Sequence, residues 1–134
     1  MNTLELEHRF EEIYGKRAEH TYFAPGRVNL IGEHTDYNGG LVFPCALSFG
    51  TYLLIAKRQN RFSSVNMDRS YTANANAFED KPTAWIKYPI GVMKEFAERG
   101  SDVWGYDLLY YGNIPNGAGL SSSASIEVVT AVML

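Results

Sequence analysis

The chain has 134 residues, 46% of them hydrophobic and 20% charged, enough for one ordinary domain with a buried core and too apolar for a disordered chain. Its formal net charge of −3, with no basic run among its lysines and arginines, leaves no electrostatic footprint for nucleic acid. One cysteine excludes an internal disulfide framework. The N-terminus lacks a signal peptide's apolar core, and no apolar run approaches the roughly 18 residues that cross a bilayer, so the expectation is a soluble cytoplasmic protein without a membrane partner.

In chain order, Asn2 and Glu5 form a capping pair for a first helix. Leu6, Phe10, Ile13 and Tyr14 fall on one face of it, and Gly15 is its stop. Residues 21–24, "TYFA", are a short strand. They lead into residues 25–40, "PGRVNLIGEHTDYNGG", which gather Arg27, Glu33, His34 and Asp36 in one glycine-punctuated run. A stretch that only turned the chain would need the glycines and little else. Cys45, between Pro44 and Ala46, reads as a small core residue rather than a nucleophile.

Residues 51–58, "TYLLIAKR", are rich in β-branched and apolar side chains and read as a strand, with "FSSVNM" at 62–67 a weaker one. A second helix is expected from about residue 89 to 99, with Ile90, Met93, Phe96 and Ala97 inward and Gly100 as its stop. Residues 106–111 form a strand that enters the glycine-rich stretch "GNIPNGAGLSSSAS", residues 112–125, and a helix follows. Strands and helices without regular βαβ alternation predict an α+β fold. The last segment, "SASIEVVTAVML", stops on an apolar helical pattern without glycine, basic last turn or polar tail. The chain is therefore expected to be cut within a helix and to belong to something longer.

A strand, a glycine-rich turn and a helix opening with serines together make an anion site. Free N–H groups and the positive end of the helix point into the loop, and Gly117 and Gly119 let the backbone approach a phosphate. Ser121, Ser122 and Ser123 offer hydroxyls to phosphate oxygens or to magnesium, a hard cation that takes oxygen ligands. A Walker A loop is excluded because Ala118 stands where lysine belongs. A Rossmann fingerprint is excluded because Ser122 occupies its last glycine position. A serine-capped helix after a flexible turn would have a similar look. For the first motif, Glu33, His34 and Asp36 match no structural zinc spacing.

The two stretches, in this order, resemble galactokinases of the GHMP small-molecule kinase family. The resemblance covers essentially the whole chain. It implies an N-terminal domain of the GHMP kinase fold (ribosomal protein S5 domain 2-like) over residues 1–134, truncated, with the sugar signature at 25–40, the phosphate loop at 112–125 and the C-terminal domain missing. The implied reaction is ATP-dependent phosphorylation of the anomeric hydroxyl of α-D-galactose to galactose 1-phosphate, with ATP and Mg2+ as cofactors. Glu33, His34, Thr35 and Asp36 match the residues that hydrogen-bond the sugar, and Arg27 matches the transition-state stabiliser. On the ATP side, Gly117, Ala118, Gly119, Leu120, Ser121, Ser122 and Ser123 match the phosphate loop, and Ser123 the magnesium ligand. Ser64 and Trp85 fall near positions that contact adenine, although a lone tryptophan suits core packing equally.

The family's catalytic aspartate, second magnesium carboxylate and sugar-contacting tyrosine would all lie beyond Leu134. The 134-residue chain alone is thus expected to be inactive, with Ile126, Val129, Val132, Met133 and Leu134 lacking partners and driving self-association. A kinase for N-acetylgalactosamine or another sugar, and a non-catalytic galactose sensor acting through protein partners, are the alternatives the resemblance leaves open.

Overall fold

In the computed structural model, the described residues are 1–32, 34, 37–67, 70–74, 76–79, 84–115 and 122–134. The first helix, α1 (Thr3–Tyr14), opens with the expected capping box. Asn2 accepts a hydrogen bond from the Glu5 amide at 2.9 Å, and Glu5 accepts one from the Asn2 amide at 2.8 Å. Gly15 ends the helix at φ +71°, and its N–H returns to the Glu11 carbonyl at 2.8 Å. Leu6, Phe10 and Tyr14, one i, i+4 row, are buried. Ile13 is 38% exposed and not on the packed face as expected. The row one turn apart faces the sheet, which leaves Ile13 at the helix's edge.

Among the described residues, five strands form one sheet in the order β1-β2-β5-β3-β4. They are β1 (His20–Ile31), β2 (Phe43–Lys57), β3 (Arg61–Ser64), β4 (Tyr71–Thr72) and β5 (Tyr106–Gly112). Neighbouring strands run antiparallel, except that β3 and β5 are parallel. Side chains alternate across a strand, and both faces of β2 are covered over residues 53–56, so its apolar run there is continuous rather than alternating. Leu53 and Ile55 face α2 (Lys87–Glu98) and α3 (Ser122–Met133), in a core with Phe62, Ile90, Met93, Leu108 and Val129. Leu54, Ala56 and Leu109 pack on the opposite face against Leu6, Phe10 and Tyr14 of α1. The α+β expectation holds, with helices on both faces of a mixed sheet.

Three further expectations need correction. Cys45 is exposed, because residues 43–49 of β2 lie outside both core clusters. The helical row of α3 is largely partnered: Val129 and Met133 are buried in the core, and Ile126 and Leu134 pack against it. Of the apolar residues expected to be stranded, only Val132 stands out, at 60% exposure. Finally, β1 does not stop at residue 24 but continues through Ile31, so the first part of the sugar motif is strand rather than loop.

Helix α1 is pinned to the sheet by a polar network. The Tyr14 hydroxyl donates to the Leu108 carbonyl at 2.6 Å. Fully buried Asp107 accepts two hydrogen bonds from Arg61, at 3.0 and 2.8 Å, and the Arg61 guanidinium sits 4.9 Å from the centre of the Tyr14 ring. Burial is the main cause that pushes the Tyr14 hydroxyl up to about 12; Asp107 adds to it, while Ser63 and Arg61 oppose it. In the fold Tyr14 therefore keeps its proton to a higher pH than in the unfolded chain. Its contribution is fully present below about pH 10 and is lost as pH rises toward 12, by roughly 1.4 kcal/mol per pH unit. Burial also raises the Tyr110 hydroxyl, so part of the alkaline loss belongs to it. Melting temperature should thus fall between pH 10 and 12, and Tyr14→Phe should make that fall shallower. An unchanged slope in the variant would show that Tyr14 does not carry it.

Candidate active site

The C-terminal end of β5 and the start of α3 meet beside a cleft of about 650 Å3. Three hydroxyl contacts fix α3 on the sheet. Buried Ser125 donates to the Ala24 carbonyl at 2.7 Å and lies 2.9 Å from the Thr51 hydroxyl. Further along, the Thr130 hydroxyl lies 3.0 Å from the Tyr110 hydroxyl, its own proton donated within α3 to the Ile126 carbonyl at 2.7 Å. With its register so set, the first turn of α3 brings Ser122, which is exposed, and Ser123, which is half-buried, to the cleft wall. The unpaired N–H groups and dipole of a helix start favour an anion there.

Ser64 and Trp85 line the same cleft, although 58 and 37 residues separate them from Ser122 (122 − 64 and 122 − 85). Ser64 is brought in by its parallel pairing with Tyr110 of β5. Trp85 sits in a short 3-10 turn, Ala84–Ile86, that leads into α2. It is 8% exposed, and its ring meets Tyr110 edge-on at 5.3 Å. Trp85 is therefore chiefly a core residue that offers one margin to the cleft. Residues the sequence reading passed over also line the wall, among them Thr51, Asn66, Tyr88 and Asn113. The two asparagines stand just past β3 and β5, where a carboxamide can replace missing strand partners; the expected strand at 62–67 had Asn66 inside it, which hid that placement.

In the stretch of residues 25–40, two irregularities interrupt the β1·β2 ladder. Pro25 pairs with Gly50 but Arg27 with Ala46, which bulges β2; Asn29 pairs with Pro44 but Ile31 with Phe43, which bulges β1. Bulges bend a strand and re-aim its side chains, and they are frequent beside active sites. Arg27 is exposed on β1 between them. His34 adopts φ +60°, its Nδ1 lies 2.6 Å from the Tyr37 hydroxyl, and Asn38 donates to its carbonyl at 2.8 Å. The left-handed backbone is uncommon for histidine, and the Asn38 bond supports it.

The structure thus brings Ser64, Trp85, Ser122 and Ser123 to one cleft, while Arg27 and His34 are not among the residues lining it. Glu33, Thr35 and Asp36, and Gly117, Ala118, Gly119, Leu120 and Ser121, lie outside the described residues. Among the described residues no three His, Cys, Asp or Glu side chains gather as a metal site. None of their helices is long and apolar enough to cross a membrane.

Residues 8–57 match the model of the galactokinase galactose-binding signature, and residues 87–134 match the N-terminal domain of GHMP kinases. The galactokinase of Clostridium tetani is 49% identical over 100% of this chain and 35% of its own length. That of Fusobacterium nucleatum is 53% identical over 93% of this chain and 34% of its own length. The chain belongs to the galactokinase family. A crystal structure of Lactococcus lactis galactokinase complexed with galactose superposes with a TM-score of 0.87 at 36% identity, over 98% of this chain and 36% of that one. A mevalonate kinase structure, with a TM-score of 0.72 at 22% identity over 84% of this chain and 38% of its own, shares the GHMP fold. The chain spans about 35% of the length of the curated galactokinases it matches.

Proposed function

We propose that these residues form the N-terminal GHMP kinase domain of a cytoplasmic enzyme that transfers the γ-phosphoryl group of ATP to the anomeric hydroxyl of α-D-galactose. The observation that carries the reading is the junction of β5 with α3, where a helix start and serine hydroxyls line a cleft together with Ser64 and Trp85. In this reading the cleft takes the nucleotide. Phosphates lie against the first turn of α3, with residues 117–121 as further ligands, and the purine lies toward Trp85 and Ser64.

Galactose is held by Glu33, His34, Thr35 and Asp36. Ionised carboxylates accept hydrogen bonds from vicinal hydroxyls, and a sugar of the wrong stereochemistry leaves a charge unpaired. The bond between His34 and Tyr37 orients the imidazole and settles which ring nitrogen is presented outward. Arg27, permanently cationic, offsets charge that develops on the transferred group.

Magnesium fits this donor set in part. Ser123 supplies one hard oxygen at the cleft, and a magnesium ion commonly completes its shell with waters and phosphate oxygens. Bound there, the ion would supply electrostatic stabilisation of the phosphates. The proton of the sugar hydroxyl is not assigned to any residue of this chain.

Asp36→Ala in the full-length protein is expected to lower kcat/KM for galactose at least tenfold, since a hydrogen bond to a charged group contributes about 1.5–3 kcal/mol. The KM for ATP should stay within twofold. Steady-state kinetics with each substrate varied in turn decides it, and equal loss for both substrates would make Asp36 a structural residue.

A further inference from the structure

We propose that Asn66 is a positioning residue for the nucleotide side of the cleft, acting through the main chain of Gly112. The proposal rests on the reading of this cleft as the nucleotide site. Strand β3 ends at Ser64, opposite Tyr110, and one more ladder bond runs from the Val65 amide to the Tyr110 carbonyl at 2.9 Å. Beyond that point β5 continues to Gly112 without a β3 residue beside it.

The Asn66 side chain takes the missing strand's place. Its Oδ1 accepts from the Gly112 amide at 2.8 Å, and its Nδ2 donates to the Gly112 carbonyl at 2.9 Å. One residue on, the chain is held from the opposite side. The Asn113 amide donates to the Gly50 carbonyl at 3.1 Å, and Asn113 Oδ1 accepts from the Gly50 amide at 2.8 Å. Successive residues of a strand turn their main-chain groups to opposite sides, so the two carboxamides clasp one junction from both flanks.

The clasp lies where function needs it. Gly112, Asn113, Ile114 and Pro115 all line the cleft, and Asn66 fixes the point at which they leave the sheet. Asn66 is itself exposed, so water can replace its bonds to Gly112 when it is removed. The fold then survives, while the cleft wall loses its fixed position. That separates positioning from mere stability.

The test uses the full-length protein and two readouts, calorimetric titration with Mg-ADP and with galactose, and amide hydrogen exchange. Asn66→Ala is expected to weaken Mg-ADP at least tenfold and to leave the galactose Kd within twofold, with a melting temperature no more than about 3 °C lower. Exchange at Gly112 and Asn113 should accelerate at least tenfold, with Leu108 and Leu109 unchanged. Asn66→Ser, uncharged and too short to bridge both main-chain groups of Gly112, should weaken Mg-ADP by a similar factor with the galactose Kd again within twofold; this second variant decides the matter if the first does not fold. An Mg-ADP Kd within twofold of wild type, or equal weakening of both ligands, overturns the proposal. Should wild-type protein bind no Mg-ADP, the nucleotide reading of the cleft falls. The clasp is then judged by exchange, and unaltered exchange at Gly112 and Asn113 in Asn66→Ala overturns it.

Discussion

Gly50→Ala is expected to destabilise the protein by about 3 kcal/mol or more, a fall in melting temperature of roughly 10 °C. A Cβ at position 50 would lie 2.1 Å from the Ala24 carbonyl oxygen, 2.7 Å from Pro25 Cα and 2.8 Å from the Phe23 ring. The first two neighbours are backbone of β1, so no side-chain rotation relieves the contact. The strands must separate, and they do so where Ser125 reaches the Ala24 carbonyl and Asn113 holds both main-chain groups of Gly50. The damage therefore spreads to the seating of α3 and to the exit of β5. Thermal denaturation of the variant checks this, and a shift below about 2 °C would mean that β1 and β2 are freer to part than their register implies.

The second large effect concerns chemistry. Arg27→Ala in the full-length protein should lower kcat by about 10²–10³, the range found when one preorganised donor to a transition state is removed. The KM values for galactose and ATP should change less than fivefold, because the proposed interaction strengthens as charge develops and is weak in the ground state. Arg27→Lys should recover part of the rate, since it restores the charge but not the planar fork of donors. Position 27 is exposed and lies between the two bulges of the β1·β2 ladder, so the substitution empties no core space. A melting temperature lowered in step with kcat would reassign Arg27 to structure.

How much of this was legible in the sequence depends on the range of the forces involved. The capping box of Asn2 and Glu5, the stop at Gly15 and the inward row of α2 are local patterns, and each was readable from a few letters. The continuation of β1 through Ile31 was not, because pairing with residues 43–46 of β2 overrides the turn-like look of a glycine-rich run. Cys45 misled for a related reason. A small apolar residue beside proline suggests a core, but burial depends on what packs over residues 43–49, and neither core cluster reaches them. At the site, the serines at the start of α3 were visible as a motif, whereas their meeting with Ser64 requires the parallel pairing of β3 with β5. Parallel pairing across a crossover leaves no short-range mark. The roles of Asn66 and Gly50 come from close approach between strands distant in sequence, which only coordinates reveal.

The central claim is the phosphoryl transfer itself, and product analysis tests it most directly. Purified full-length protein carrying this sequence would be incubated with galactose and Mg-ATP, and the products followed by phosphorus NMR and mass spectrometry. The account predicts ADP and a single sugar phosphate bearing its phosphate on the anomeric oxygen, in equal amounts, formed at least tenfold more slowly by the Asp36→Ala protein at matched low galactose. Absence of a sugar phosphate from folded wild-type protein that binds both ligands, or phosphate on any other hydroxyl, would contradict it.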